Sequence, residues 1–316
     1  MIIDIHIHIA KPGKPGDESY WSGKFSSSPA FMYMVLLSGN LFSPLTAEAI
    51  ENHILSIIEN SQTVEKAVLL ALDEVYDENG ERRPELTHLY VSNSYIRKLS
   101  ETHDKVLKGY SIHPHRKDFK EQLARAKEEG AFLIKLIPSS QMFDPSSEKI
   151  KGFWKTMAEL SIPALCHTGP EYAIPTSDSS YNKYNDPEYL IPALDEGATI
   201  IVAHCATPYF GVFDTPYEMH YSNLVKLFNS AEKRGWKLYA DISALATPFR
   251  YEYIKRILRD LPQERLLFGS DYPIPISTMG IVPPDKNPLD LYISFLKEMG
   301  FKEGVFHNAS SLREMV

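Results

Sequence analysis

The histidine pair near the start of the chain has the spacing of a metal-binding motif. His6 and His8 lie within the apolar run formed by residues 2–9. Residues two apart on a strand project from the same face, so both imidazoles could coordinate one cation. Two hydrogen-bonded histidines in a protein core would give the same pattern. The pair alone therefore leaves a metal site and a structural role open.

Further potential metal ligands close other apolar runs of strand length. They are Lys135 in FLIKLIP, His167 in IPALCHTG, His204 in TIIVAHC and Asp271 in LLFGSDYP. If these runs are strands of one barrel, their side chains and the histidine pair meet at the same rim. Burying so many ionisable groups among apolar residues would be costly unless a cation neutralised them. The six residues together therefore predict a metal centre.

The elements that must position these residues follow a regular alternation. Short apolar runs are each followed by a segment with helical periodicity, which is typical of βα units around a parallel sheet. Eight runs qualify as strands: 2–9, 66–72, 106–112, 132–137, 162–167, 199–204, 238–242 and 266–269. Eight is the number that a closed barrel requires. The sequence thus predicts an α/β protein, a (β/α)8 TIM barrel that forms a single domain over residues 1–316.

Three connections are too long to be plain turns, namely residues 10–45, 168–185 and 272–288. They are rich in proline, glycine, serine or tyrosine, and each follows a predicted strand. In such a barrel the loops after the strands build the mouth of the active site. These segments are therefore candidates for a substrate pocket or a lid, and irregular surface decoration is the alternative.

Composition argues against several classes of partner. The formal net charge is -8 at pH 7 and no block of lysine or arginine is present, so we expect no nucleic-acid partner. Cys166 and Cys205 lie in apolar runs, which suits buried thiols in the reducing cytoplasm. The first residues lack the features of a signal peptide, and the most apolar later stretch, 31–42, is too short to span a bilayer. We expect a cytoplasmic protein without a membrane partner.

The order of these motifs resembles the amidohydrolase superfamily of metal-dependent hydrolases, and more closely its branch of short, compact barrels. The resemblance covers the whole chain. It includes the first-strand histidine pair, the fifth-strand His167, the sixth-strand His204, the GSDYP segment with Asp271, and a closing His307-Asn308-Ala309 segment before the last helix. It implies a metal-dependent hydrolase that uses activated water.

The resemblance also implies individual roles. His6 and His8 hold the more buried metal, and Asp271 is a further ligand that exchanges a proton with the metal-bound water. His167 and His204 hold or border a second metal. In binuclear members a fourth-strand lysine becomes carboxylated and bridges the two metals, and Lys135 lies at the corresponding strand end. Mononuclear members, including decarboxylases, lack that bridge, so Lys135 is alternatively a free ammonium that orients an anionic substrate.

The expected cofactor is Zn2+, as one or two ions, because histidine-rich ligation with a carboxylate suits zinc; Mn2+, Fe2+, Co2+ and Ni2+ fit the same ligand types. Zinc lowers the pKa of bound water to about 7, which makes hydroxide available for attack on a carbonyl or phosphoryl centre. Asp271 would take up the proton and pass it to the leaving group, and His204 is the second candidate catalytic residue.

Three residues near the predicted rim are candidates for substrate binding. Glu171 follows His167 in HTGPE and could orient that histidine or bind a polar substrate group, or could be a solvated residue of its loop. Arg116 could hold a substrate carboxylate, or pair with an acid of the following helix. Tyr172 could form a pocket wall, or simply pack its own loop. His113 and His115, at the end of the third strand, suit a position behind the metal ligands or against substrate.

Two enzymatic functions remain open from the sequence. The first is a hydrolase for an amide, ester, lactone or phosphoester of a small molecule, favoured by the complete ligand set with Lys135. The second is a mononuclear, non-oxidative decarboxylase of a small unsaturated or aromatic carboxylic acid. A non-catalytic metal-binding protein is a third class that the intact ligand set disfavours. The partner is a small-molecule substrate in both enzymatic cases, and a homo-oligomer is compatible with a barrel of this size.

Overall fold

The computed structural model describes residues 1–37, 46–208, 218–247, 250–274, 282–283 and 285–314. Within them, ten strands are numbered in chain order: β1 (Ile3–His8), β2 (Ser19–Trp21), β3 (Lys66–Leu70), β4 (Leu89–Val91), β5 (Val106–Tyr110), β6 (Leu133–Leu136), β7 (Ala164–Cys166), β8 (Ile200–Val202), β9 (Leu238–Asp241) and β10 (Leu266–Leu267). Eight of them form one parallel sheet in the order β1-β3-β5-β6-β7-β8-β9-β10.

Backbone hydrogen bonds between the first and last strands close this sheet into a barrel. Ile5 N donates to Phe268 O at 3.1 Å, and beyond β10 Asp271 N donates to His6 O at 2.7 Å. His8 N then donates to Tyr272 O at 2.8 Å. The predicted (β/α)8 TIM barrel is therefore confirmed, and each barrel strand falls inside one of the eight predicted runs. The closure also draws Asp271 to the end of β1.

The helices that follow the strands cover the barrel. In chain order they are α1 (Gly23–Ser26), α2 (Pro29–Leu37), α3 (Ala47–Asn60), α4 (Asn93–Thr102), α5 (Phe119–Glu128), α6 (Pro138–Gln141), α7 (Lys151–Glu159), α8 (Ile191–Asp195), α9 (Glu218–Arg234), α10 (Ile254–Asp260), α11 (Pro288–Glu298) and α12 (Glu303–Glu314). Local signals place their ends: Thr46 caps α3, and Asn287 with Pro288 begins α11. No helix in the described ranges is long and apolar enough to cross a membrane.

Strand side chains divide between two packed layers. Ile3, Val68, Leu133, Leu165, Ile201 and Leu267 belong to a small buried cluster. Alternate strand residues such as Ala67 and Leu69 join a larger cluster with residues of the helices. Cys166 and Cys205 are free, buried and part of the larger cluster, as the sequence predicts. Successive side chains of each strand point alternately into the barrel and toward the helices. Inward-pointing polar residues at the strand ends can therefore meet at the mouth of the barrel.

The first long connection is folded rather than irregular. Within residues 10–37, β2 pairs antiparallel with β4, which lies in the connection after β3. Three-residue strands carry too little pattern to be read from sequence, so this ribbon was not predicted. Residues 38–45 and 275–281, which fall in two of the three predicted mouth loops, lie outside the described residues.

Three local features of the helices differ from what their sequence suggests. Asp118 precedes α5 but its carboxylate does not cap the helix, because it accepts from Arg116 and Gln122 instead. His220 is only 5% exposed, although it lies on α9, one of the helices that cover the barrel. The His307-Asn308-Ala309 segment, expected before the last helix, lies within α12. Asn308 Nδ2 of this helix donates to Leu266 O of β10 at 2.7 Å.

Candidate metal centre

The tightest group of polar atoms in the site comes from β1 and the segment after β10. His6 Nε2 and His8 Nε2 lie 3.1 Å apart. Asp271 Oδ1 is 3.2 Å from each of these two nitrogens. Asp271 adopts a left-handed backbone conformation with φ 64°, a geometry that non-glycine residues rarely adopt and that aims its carboxylate back at β1. The structure thus brings three of the predicted ligands together.

Lys135 reaches this group from the opposite wall of the barrel. It lies on β6, is 1% exposed, and its Nζ is 2.9 Å from His6 Nε2. Burial lowers the pKa of the Lys135 ammonium from its ordinary value, although the carboxylates of Asp271 and Asp241 oppose this effect. A lysine amine is therefore placed at the centre of the site rather than at its edge.

Asp241, at the end of β9, is a site residue that the sequence reading missed. Its Oδ2 is 2.7 Å from His6 Nδ1, and it is fully buried. Burial would raise its pKa, but the neighbouring His6 keeps the pKa of Asp241 below its usual value. A carboxylate on the far nitrogen of a ligand histidine fixes that ring and leaves the other nitrogen for a metal. A signal existed, since Asp241 is a polar residue in an apolar strand, as Lys135 is.

His204 follows β8 in an unusual turn. His204, Cys205 and Ala206 all have positive φ values, of 56°, 48° and 50°. The His204 ring stacks on His6 with 5.1 Å between centroids. Its Nδ1 lies 2.7 Å from Ser243 Oγ and 3.8 Å from Asp271 Oδ2. The turn thus holds the imidazole against the β1 group.

His167 lies just past the end of β7 and on the other side of His204. The His167 and His204 rings meet edge to face at 5.1 Å between centroids. His167 Nδ1 is 3.4 Å from Glu171 Oε2, whereas Nε2 is buried without a hydrogen-bond partner among the described residues. Glu171 Oε1 accepts from the backbone nitrogens of Ala173 and Ile174. The loop after β7 therefore supplies a fixed carboxylate for His167.

Burial sets the protonation of several groups. It lowers the pKa of His8 to about 4, against the opposing effect of Asp271, and it lowers the pKa values of His167 and His204 well below the ordinary histidine value. Burial would raise the pKa of Asp271, but His6 and His8 hold it below its usual value. Neutral imidazoles and an ionised carboxylate are the forms that bind metal ions.

These residues fit a divalent cation. His6, His8 and Asp271 offer ligand atoms that all lie within 4.8 Å of one another, and so do His6, His204 and Asp241. The buried Nε2 of His167 adds a polar atom without a hydrogen-bond partner among the described residues, which costs about 1–3 kcal/mol unless something binds it. A donor set of imidazole nitrogens and carboxylate oxygen suits zinc and its neighbours among transition metals.

Two of the three predicted substrate-binding residues, Arg116 and Tyr172, differ in their surroundings. Arg116 donates to Asp118 through Nε and Nη2 at 2.9 Å each, and its Nη1 donates to Tyr76 at 2.8 Å. Tyr172 is 43% exposed. His113 is fully buried behind the rim, where its Nε2 contacts Gln141 O at 2.8 Å. The role of Arg116 and Tyr172 toward a substrate stays a prediction.

Arg250 was not singled out from the sequence and is 3% exposed. Its positive charge contributes, after burial, to the lowered pKa values of both His204 and His167. No local motif marks it, because it lies in the loop after β9, well beyond the predicted strand. Its guanidinium brings positive charge to the β7 and β8 side of the centre.

The barrel matches known proteins in both sequence and structure. The amidohydrolase family model matches residues 3–308. No curated protein sequence matches the chain. The chain is similar to the crystal structure of a probable 2-pyrone-4,6-dicarboxylic acid hydrolase from Acinetobacter baumannii with citric acid bound, at 14% identity and a TM-score of 0.59, covering 99% of each chain.

Two decarboxylases have the same fold. The 2,6-dihydroxybenzoate decarboxylase from Rhizobium is 13% identical, with a TM-score of 0.59 over 99% of this chain and 98% of that one. The 5-carboxyvanillate decarboxylase from Novosphingobium aromaticivorans, solved with manganese and 4-hydroxy-3-methoxy-5-nitrobenzoic acid, is 11% identical, with a TM-score of 0.56 over 99% and 96% of the two chains. At these identities the likeness establishes the fold alone.

Proposed function

Because the chain belongs to the amidohydrolase family, we propose that it is a metal-dependent hydrolase that cleaves an amide, ester, lactone or phosphoester bond of a small molecule. The observation that carries this proposal is the convergence of His6 Nε2, His8 Nε2 and Asp271 Oδ1 within 3.2 Å, with Lys135 Nζ 2.9 Å from the first of them. A cation at this point would bind the nitrogen and oxygen lone pairs and neutralise the buried carboxylate.

His6, His8 and Asp271 would hold the first ion, and His167 and His204 a second. Zn2+ is the proposed metal, with Mn2+, Fe2+, Co2+ and Ni2+ as alternatives that accept the same donors. A bound divalent ion supplies Lewis acidity and lowers the pKa of water to about 7. Asp241 orients His6 from behind, and Glu171 does the same for His167.

Asp271 is the proposed proton carrier. Its Oδ1 faces both histidines of β1, and its Oδ2 lies toward His204. An ionised carboxylate in this position can accept the proton that an attacking water releases and return it to the leaving group. His204, whose Nδ1 lies 3.8 Å from that oxygen, is the second catalytic candidate.

Lys135 is proposed to carry a carbamate that bridges the two ions. The neutral amine attacks carbon dioxide, forms one N–C bond and releases one proton, which leaves a carbamate anion. Lysine is the one side chain of the site able to undergo this step. The amine lies in the middle of the site, 2.9 Å from a ligand nitrogen, where such a bridge would be needed.

The substrate is proposed to enter between the loops that follow the barrel strands. Glu171 and Tyr172 stand in the loop after β7, and Arg116 in the loop after β5. These three residues are proposed to contact the substrate, although the Glu171 carboxylate already contacts His167 at 3.4 Å. The small-molecule partner, a homo-oligomeric state and a location in the cytoplasm are further proposals; the last agrees with two buried free thiols.

Decarboxylation of a small unsaturated or aromatic acid is the second candidate reaction. The specific observation in its favour is Arg250, a guanidinium that is 3% exposed in the loop after β9. Such a group suits a carboxylate substrate. Two of the structural neighbours described above are named as decarboxylases, and in this reaction Lys135 would remain an ammonium.

The test compares apoprotein with protein reconstituted in Zn2+ or Mn2+. One panel contains chromogenic esters, phosphoesters, lactones and cyclic amides; the other contains hydroxybenzoates, with carbon dioxide release as the readout. We expect turnover in the first panel only after reconstitution. Turnover confined to the second panel would replace the hydrolase by the decarboxylase, and equal rates with and without metal would refute both.

A further inference from the structure

We propose that Ser243 and Asp241 form a hydrogen-bonded relay that fixes the tautomer of His204 and leaves its Nε2 as the nitrogen available to a metal or a proton. This inference rests on the proposed function only for its statement that the unprotonated Nε2 of His204 binds a metal or a proton. The relay itself is a property of three buried side chains: Ser243 and Asp241 are both 0% exposed, and His204 is 2% exposed.

The Ser243 hydroxyl lies between the other two groups. Its Oγ is 2.5 Å from Asp241 Oδ1 and 2.7 Å from His204 Nδ1. It also lies 3.3 Å from His6 Nδ1, but that nitrogen has the shorter contact of 2.7 Å with Asp241 Oδ2. Because a hydroxyl carries a single proton, only one of its two short contacts can use that proton.

The donors around Asp241 determine which contact uses the proton of the Ser243 hydroxyl. Its Oδ1 accepts from His204 N at 2.7 Å and from Ser243 N at 3.2 Å, and its Oδ2 faces His6 Nδ1. A carboxylate that takes donors on both oxygens acts as an acceptor only. If Ser243 gave its proton to His204 instead, two acceptor oxygens would face each other at 2.5 Å. The hydroxyl therefore donates to Asp241.

The tautomers of both histidines follow from this assignment. With its proton on Asp241, Ser243 Oγ can only accept from His204, so His204 carries its proton on Nδ1. His6 likewise donates from Nδ1 to Oδ2 of the same carboxylate. One carboxylate thus orients two site histidines, His6 directly and His204 through a serine. It also binds the His204 backbone nitrogen, in the residue whose φ is 56°.

Ser243 is accordingly a positioning residue. It touches no reacting atom, and its hydroxyl is needed only to present the correct nitrogen of His204. Without it, the Nδ1 proton would be buried without an acceptor, a cost of about 1–3 kcal/mol that favours moving the proton to Nε2. Nε2 would then be blocked as a ligand and as a base.

The direct test is tautomer assignment by long-range proton–nitrogen NMR on apoprotein labelled with 15N-histidine, with His204→Gln used to identify the His204 signals. We expect wild-type His204 to show a protonated Nδ1, and Ser243→Ala to show a protonated Nε2 or an exchanging mixture. Ser243→Thr keeps the hydroxyl and should restore the wild-type pattern. Ser139→Ala is the matched control, because Ser139 is a buried serine at the same end of the barrel whose hydroxyl binds Asn185.

A second readout is Zn2+ affinity, measured by competition with a chromogenic chelator. We expect Ser243→Ala to weaken binding about 10-fold and Asp241→Asn up to about 100-fold, the range found for groups behind metal ligands. An unchanged His204 tautomer in Ser243→Ala would overturn the relay. Wild-type protein that binds no Zn2+ would instead overturn the proposed function, while the NMR result on apoprotein would still decide the relay.

Discussion

The two sides of the candidate metal centre differ in how the proposed ligands are held. On the side of β1 and β10, His6 Nε2, His8 Nε2 and Asp271 Oδ1 lie within 3.2 Å of one another. On the side of β7 and β8, His167 and His204 touch as rings, but their Nδ1 atoms face Glu171 and Ser243 rather than each other. The polar atoms of the first side thus converge on one point, whereas those of the second side each contact a separate partner.

The origin of this difference is the backbone. His6 and His8 project from one continuous strand, and hydrogen bonds between β1 and residues 268–272 tie Asp271 to them. His167 and His204 come from separate strand ends, and each depends on a residue of its following loop or neighbouring strand. Ligands on a shared, hydrogen-bonded framework lose less freedom when a metal binds. We therefore expect the β1 and β10 side to bind the tighter ion.

Asp271→Asn should have the largest effect on activity. The amide retains the shape of the side chain but cannot accept a proton, so we expect kcat to fall by about 10²–10⁴-fold. Steady-state kinetics on metal-loaded protein measure the loss. Asp104→Asn is the control, because Asp104 is exposed in the turn before β5, at the opposite end of the barrel. Comparable rates in the two variants would remove Asp271 from the proton-transfer role.

Lys135→Met should affect the two proposed ions differently. Without the amine no carbamate can form, so we expect the second equivalent of metal to be lost and the first to remain. Elemental analysis after dialysis gives the stoichiometry. Lys108→Met provides the matched control, since Lys108 lies on the adjacent β5 and its Nζ binds the carbonyl of Glu129 instead of the site. Two retained ions in Lys135→Met would exclude the bridge.

His167→Asn and His8→Asn test which side binds more tightly. We expect His8→Asn to weaken the first ion, and His167→Asn to leave it unchanged while weakening the second. Metal titrations of the two apoproteins by calorimetry distinguish these patterns. If His167→Asn weakens the tighter ion as much as His8→Asn does, the two sides of the site do not bind separate ions as proposed.

Gly269→Ala should produce the smallest change. A Cβ at this position would lie 2.9 Å from His6 Cβ, so His6 must shift. We expect the free energy of unfolding to fall by about 1–3 kcal/mol, as for an overpacked core, together with weaker binding of the first ion. Gly304→Ala on α12 has open space around its Cβ and should change neither the free energy of unfolding nor the binding of the first ion. Chemical denaturation of both variants provides the measurement, and wild-type behaviour of Gly269→Ala would mean that His6 tolerates displacement.

The barrel could be predicted because each strand carries its own signal. Each of the eight short apolar runs contains one of the observed strands, and polar residues close the runs of β1, β6, β7 and β8 at the same rim. The ribbon of β2 and β4 could not be predicted, since its strands are only three residues long and pair across a connection of more than 60 residues. Local sequence says nothing about such a pairing.

The supporting residues of the site were harder to predict than its ligands. Asp241 is marked only as a polar residue inside the predicted strand 238–242, which does not tell which side chains it contacts, and Ser243 has no distinctive type. Only the approach of β9 to β8 and β1 shows that one carboxylate reaches both His6 and His204. Arg116 shows the reverse: its type suited substrate binding, but the structure reveals acids and a tyrosine already engaging its guanidinium.

The central claim is that this barrel binds metal through the six predicted residues. The most direct measurement is the metal content of protein purified without chelator, by mass spectrometry and per chain, paired with an intact-mass search for a carbamate on Lys135. We predict close to two equivalents and a labile increase of one carbon dioxide in mass. No metal, even after reconstitution with Zn2+ or Mn2+, would contradict the account.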